Sequence, residues 1–216
     1  MILCHRLDLD GVDATAADLA LLDAWERHRA DALRSSRDRR RYLVAHATLR
    51  RLLGRHLGLP PDSLEVTRSP SGKPALCRMG PPCHFSLTHA GGTGWLAIAA
   101  VAVGIDAEDL TVVDPLSSLI AASCTPAERR ALLALDAPRR GPAFLVAWTR
   151  KEAVLKAWGS GLGEMDPAGL QVGLDGPGPV LAAGREPLSV TTVTAGDQVV
   201  SVAAAHRPGF RLRFER

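Results

Sequence analysis

The sequence predicts an α+β fold built as a pseudo-dimer of two similar halves, each with helices packed on an antiparallel sheet. Three observations carry this. Helical periodicity comes first and strand alternation second, and that order occurs twice along the chain. No low-complexity linker separates the two runs, so the halves should share a tight interface. At 216 residues the chain is long for one simple domain and short for two independent ones. The expected division is residues 1–103 and 104–216.

Taken in order, Ile2 to Leu7 suits a short strand. Ala16 to Leu33 carries Leu19, Leu22, Trp25 and Leu33 with charge between, the pattern of one amphipathic helix. Arg37 to Leu57 repeats it with Tyr42, Leu43, Leu49, Leu52 and Leu53, and Gly54 and Gly58-Leu59-Pro60-Pro61 bring it to a stop. Between Leu64 and Asp109 short strands are expected, punctuated by Ser69-Pro70-Ser71-Gly72-Lys73-Pro74 and Gly91-Gly92-Thr93-Gly94. The run Gly94 to Ile105 is apolar on both faces and reads as buried sheet. Helices then resume. Thr125-Pro126-Ala127-Glu128 combines a hydroxyl cap, a proline at the first helical position and a glutamate three residues after the cap. Another helix is predicted from about Pro142 to Trp158, ending at Gly159 and Gly161. Strand-like segments follow near Leu170 to Leu174, Leu188 to Thr194, Val199 to Ala205 and Phe210 to Phe214, with Gly196-Asp197 as a hairpin turn.

Composition narrows the function classes. A formal charge of +3 favours acidic partners mildly. Cysteines at 4, 77, 83 and 124 form no Cys-x-x-Cys pair, so neither a zinc site nor a disulfide framework is indicated, and a reduced cytoplasmic protein is expected. Met1 to Asp8 lacks a signal peptide's apolar stretch, and the longest apolar run, Trp95 to Val103, is too short to span a bilayer, so no membrane partner is expected. Arg34, Arg37, Arg39, Arg40 and Arg41, then Arg50, Arg51 and Arg55, invite a nucleic-acid reading. Apolar residues interleave among them at helical spacing and no aromatic stacking series accompanies them, so a solvated helix face is expected, with no nucleic-acid partner. Lysine is rare: of 26 basic residues only Lys73, Lys151 and Lys156 are lysines, all in segments that draw attention on other grounds.

Two segments suit metal-assisted phosphate chemistry. In Val103-Gly104-Ile105-Asp106-Ala107-Glu108 strand alternation points both carboxylates one way and Ala107 the other. In Trp148-Thr149-Arg150-Lys151-Glu152-Ala153-Val154-Leu155-Lys156, positions Trp148, Glu152 and Lys156 share one helix face. If these surfaces meet, three carboxylates and a lysine share a small space, a set whose oxygens suit Mg²⁺ completed by water and phosphate. Glu152 could bind metal or accept a proton, and Lys156 could neutralise a phosphate oxygen. Upstream, His84-Phe85-Ser86-Leu87-Thr88-His89 alternates as a strand, with Ser86 and Thr88 on one face, and His89 beside glycine-rich backbone is well placed to donate to a phosphate.

The ordered series Ser71-Gly72-Lys73-Pro74, His84 to His89, Gly104-Ile105-Asp106-Ala107-Glu108 and Trp148 to Lys156 resembles the 4′-phosphopantetheinyl transferases of the long, Sfp type, over about Arg27 to Gly163. The resemblance implies a monomeric enzyme that moves the phosphopantetheine arm of coenzyme A onto a serine of an apo acyl or peptidyl carrier protein, releasing 3′,5′-ADP. It implies Mg²⁺ on Asp106, Glu108 and Glu152, and a catalytic set of Glu152, Lys156 and Asp106. It places Lys73, Pro74, Thr88 and His89 at the nucleotide, Lys156 near the transferred phosphate and Arg41 at the 3′-phosphate, with Arg27 and Arg29 as looser matches. Thr88 stands where serine is common in that family and keeps the hydroxyl; Ala107 offers no ligand. The competing expectations are a basic nucleic-acid-binding module and a Mg²⁺-dependent nucleotide hydrolase.

Overall fold

The computed structural model describes residues 1–69, 72–77, 81–111, 114–160, 164–205 and 211–215. Ser71, Gly161, Gly163 and Phe210, which figure in the sequence expectations, lie outside these residues. The first half runs β1 (Ile2–Asp8), α1 (Ala16–Leu21), α2 (Ala24–Asp31), α3 (Ser36–Leu57), β2 (Val66–Arg68), β3 (Pro74–Leu76), β4 (His84–Ala90) and β5 (Thr93–Ala99). The second runs β6 (Val103–Asp109), α4 (Leu116–Ser123), α5 (Pro126–Leu133), α6 (Ala137–Trp158), β7 (Gly178–Val180), β8 (Leu188–Ala195), β9 (Gln198–Ala205) and β10 (Leu212–Glu215).

Two four-stranded sheets form, in the orders β10-β1-β5-β4 and β6-β9-β8-β7, and β2 and β3 make a separate small hairpin. Among the described residues only the β10–β1 pairing is parallel: the last strand returns to the first sheet. The central strands β5 and β9 are buried along both faces, so each sheet has two covered sides. Ile2, Cys4 and Trp95 of the first sheet pack with Val103, Ile105, Val200 and Val202 of the second, so the sheets meet face to face. Each outer face receives a long helix. Leu49 and Leu53 of α3 cover Phe85, Leu96 and Ile98, while Val154, Leu155 and Ala157 of α6 cover Leu188, Val190 and Ala203.

The halves repeat one construction. Each long helix has 22 residues and ends at a glycine in the left-handed region, Gly58 at φ 68° and Gly159 at φ 74°. In the first half Glu26, the third residue of α2, closes a capping box with Asp23 and pairs with buried Arg50 of α3 at 2.8 Å. In the second, Glu128 closes a box with Thr125 and pairs with buried Lys151 of α6 at 2.7 Å. Both cations also donate to backbone in or just after a short 3₁₀ turn, Arg50 to Leu64 O and Lys151 to Pro167 O and Leu170 O. The α+β pseudo-dimer predicted from element order is the observed architecture.

Three local expectations differ. The helix expected over 16–33 is two helices, because Asp23 and Glu26 form a capping box that starts α2 afresh. The last helix begins at Ala137, with Asp136 at its N-cap, and carries Pro142 inside it. Leu170 to Leu174 forms no strand. Side chains use its backbone instead: Val172 N donates to Glu128, and the carbonyls of Val172 and Gly173 accept from Arg150.

Candidate active site

β6 leaves the inter-sheet core with Val103, Ile105 and Ala107 on the apolar side, so Gly104, Asp106 and Glu108 face the other way. That side meets α6. The approach is so close that a Cβ on Gly104 would lie 1.9 Å from Ala153 O and 2.5 Å from Ala157 N. Glycine within a strand is the sequence signal for such an approach. Along α6, Trp148, Glu152 and Lys156 line up against the row of acids, as their spacing predicts.

Asp106 is 5% exposed. Its Oδ1 accepts from Lys156 Nζ at 2.6 Å and from Thr88 Oγ1 at 3.0 Å, and Lys156 Nζ stands 3.2 Å from the same hydroxyl. Residues from β4, β6 and α6 therefore close on one point where the halves join. Asp106 Oδ2 and Glu152 Oε1 are buried without a hydrogen-bond partner among the described residues. Burial, reinforced by Asp106 and Glu108, raises the pKa of Glu152 although Lys156 opposes it. Burial and the Asp106 charge likewise raise Glu108, against the indole N–H donated by Trp148.

Among the described residues no three His, Cys, Asp or Glu side chains stand grouped to hold a metal ion. Asp106, Glu108 and Glu152 feel one another electrostatically, yet Lys156 rather than a cluster of carboxylates satisfies Asp106 Oδ1. The two unpartnered oxygens, on Asp106 and Glu152, are what a cation could use, with water and phosphate filling the rest of its shell.

The other predicted residues fall at varied places. Thr88 points with Ser86 toward β6, whereas Phe85 and Leu87 pack into the first half. His89 is exposed at the end of β4. Lys73 does not present a free ammonium: Nζ donates to Val103 O at 3.1 Å and to Lys156 O. Burial and then Lys156 lower its pKa to about 8. With Pro74 it borders a cleft of about 700 Å³ that Trp158 and His84 also line. Arg41 binds Asp10 through Nε at 2.8 Å, and Arg37 and Arg40 reach the same carboxylate at 3.1 and 3.2 Å. The Asp10 hydrogen bond raises the Arg41 pKa, and Asp109, at the end of β6, adds to it. Arg27 donates to Ala20 O, and Arg29 is exposed on the same helix, α2; no contact joins either to Asp106.

Sequence reasoning passed over Ser86, whose Oγ accepts from Ile105 N at 3.2 Å, and Gln198, which links Trp95, Ala90 O and Asp109. Strand alternation does put Ser86 beside Thr88; nothing local marks Gln198. Lys151, one of the three lysines, is 1% exposed and serves the Glu128 pair.

The family model described as the 4′-phosphopantetheinyl transferase superfamily matches residues 102–200, the stretch that carries the acids and α6. The chain is 29% identical to the 4′-phosphopantetheinyl transferase HetI of Nostoc over 218 residues, covering 97% of this chain and 89% of that protein. It is 32% identical to slr0495 of Synechocystis, a protein named for the same activity, over 66% of this chain but 59% of that protein, under two thirds of its length. With the 4′-phosphopantetheinyl transferase pptA of Paxillus involutus it shares 33% identity over 72% of this chain and 68% of that enzyme. On that match, and on the family model over the strand and helix that build the site, the chain belongs to the 4′-phosphopantetheinyl transferase superfamily.

Proposed function

We propose that this chain transfers the 4′-phosphopantetheine arm of coenzyme A to a serine of an apo acyl or peptidyl carrier protein, with Mg²⁺, as a monomer in the cytoplasm. Asp106, Lys156 and Thr88 meeting at the junction of the halves, beside two unpartnered carboxylate oxygens, is the observation that carries this reading. The serine oxygen attacks the β-phosphorus of the coenzyme A pyrophosphate. The bond from that phosphorus to the bridging oxygen breaks, and 3′,5′-ADP leaves. Glu152 takes the serine proton, directly or through a water. Lys156, with its ammonium 2.6 Å from Asp106, supplies positive charge where the pyrophosphate would lie. Asp106 and Glu152 would hold Mg²⁺ through the two oxygens left without a partner, with Glu108 beside them, and the ion would neutralise charge on the pyrophosphate oxygens.

Residues 1–103 would supply the nucleotide side through Pro74, Thr88, His89 and Arg41, with Arg27 and Arg29 further out, and residues 104–216 the acids and the catalytic helix. A cleft of about 650 Å³ that runs from Glu108 along Trp148, Phe144 and Leu119 offers room for the pantetheine arm and the entering serine. No helix among the described residues is long and apolar enough to cross a membrane.

The test is to incubate the protein with Mg²⁺, coenzyme A and apo carriers of the fatty-acid, polyketide and peptide types, and to weigh the intact carriers. A mass gain of one phosphopantetheine, lost when Mg²⁺ is chelated, is expected. No gain on any carrier, or release of 3′,5′-ADP without an acceptor, would overturn the proposal.

A further inference from the structure

β6 is an edge strand: β9 pairs with one side, and no strand pairs with the other among the described residues. The backbone groups on that open side are buried and need partners from elsewhere. Side chains of the first half supply them. Ser86 Oγ, on β4 and 4% exposed, accepts from Ile105 N at 3.2 Å. Lys73 Nζ donates to Val103 O at 3.1 Å, two residues back on the same edge. One residue on, Thr88 reaches the Asp106 side chain.

The Lys73 ammonium has a second partner, Lys156 O. That carbonyl belongs to the last turn of α6, which ends at Trp158. Lys156 O also accepts from Gly159 N at 3.2 Å and keeps a second lone pair for the ammonium, and the negative end of the helix dipole favours a cation there. One ammonium thus joins the start of the strand that bears Asp106 to the end of the helix that bears Lys156.

We propose that Lys73 and Ser86 are positioning residues: a side-chain ladder from the first half that substitutes for a missing strand, fixes β6 against α6 and so sets the Asp106–Lys156 geometry. This rests on the transferase reading. It gives Lys73 a duty other than nucleotide contact, because its charged end is spent on backbone carbonyls.

The wild type, K73M, K73R and S86A are compared by steady-state transfer to a carrier and by calorimetric titration with 3′,5′-ADP. K73M and S86A should lower kcat by about tenfold or more, since small misplacements of reacting groups are costly. The KM for coenzyme A and the Kd for 3′,5′-ADP should stay within about twofold, and K73R, which keeps donors, should regain most of the lost kcat. A K73M protein with unchanged kcat, or one whose Kd for 3′,5′-ADP rises while kcat at saturating coenzyme A holds, overturns the proposal. Amide hydrogen exchange gives an arm that needs no turnover. S86A should speed exchange at Ile105 several-fold, and unchanged exchange there refutes the ladder even if K73M fails to fold. A wild type that modifies no carrier, with Ile105 deprotected in S86A, would sink the transferase reading and leave the ladder standing.

Discussion

Glu152 holds a buried oxygen that has no partner among the described residues, in the field of Asp106 and Glu108. Its pKa is raised, by burial first, so the folded protein binds that proton more tightly than the unfolded chain does. Stability from this group is therefore full at low pH and is lost as pH rises from the ordinary carboxylate range through the raised value. Glu152→Gln removes that penalty. It should raise the melting temperature at pH 7, with the gain over wild type vanishing near pH 4, while turnover falls by about a hundredfold or more. Calorimetry at both pH values, together with carrier mass analysis, checks both halves, and a lowered melting temperature at pH 7 would contradict the assignment. Arg41 is a different case. Asp10 orients its guanidinium from the loop after β1, leaving the other arginines around that carboxylate to carry excess positive charge. Arg41→Ala should raise KM for coenzyme A by about tenfold or more while scarcely changing that for dephospho-coenzyme A, since a charge-assisted contact is lost only with the former. Equal sensitivity to both would count against a 3′-phosphate contact.

At the scale of elements, the site depends on how α6 is seated. Gly104 admits the helix backbone, and any side chain there would collide with Ala153 and Ala157. Gly104→Ala should cost about 1–3 kcal/mol or more through overpacking, and should abolish transfer by moving Glu152 and Lys156 off β6. Denaturant melts with turnover measurements test this. The buried Glu128–Lys151 pair fixes α5 to α6. Lys151→Met alone leaves an uncompensated buried carboxylate and should destabilise the fold by about 3–5 kcal/mol, whereas the E128M/K151M double variant should recover only part of that loss, because Thr125 N and Val172 N lose their acceptor as well. These elements also show what the sequence makes legible. The capping box at Thr125 and Glu128, the Gly159 stop and the shared face of Trp148, Glu152 and Lys156 are encoded within a few residues and were readable there. Asp23 and Glu26 carry the same local code, yet the apolar repeat running through them suggested one helix where there are two. The pairing of Glu128 with Lys151, the grip of Arg150 on Val172 and Gly173, and the turn of Lys73 toward Val103 join residues far apart in the chain. Their meaning depends on packing, which periodicity does not report.

For the molecule as a whole, the decisive feature is that the apolar layer between the sheets draws on both halves. Ile2, Cys4 and Trp95 have no complete core without Val103, Ile105, Val200 and Val202. The Trp95–Gln198 hydrogen bond at 2.9 Å and the return of β10 to β1 bind the halves further. Neither sheet can expose its inner face without losing the shared burial, which at ~25 cal/mol per Å² dominates folding. The chain should therefore unfold in one transition, despite its repeated construction, with calorimetric and van't Hoff enthalpies in agreement. Ile105→Ala, at the centre of this layer, should lower stability by about 2–5 kcal/mol through the cavity it leaves. It should shift the single endotherm downward by about 2–4 °C per kcal/mol without splitting it. Two separated endotherms in the wild type, or a variant in which only the second half melts early, would show that the halves are independent domains and that the site between them rests on a far looser interface.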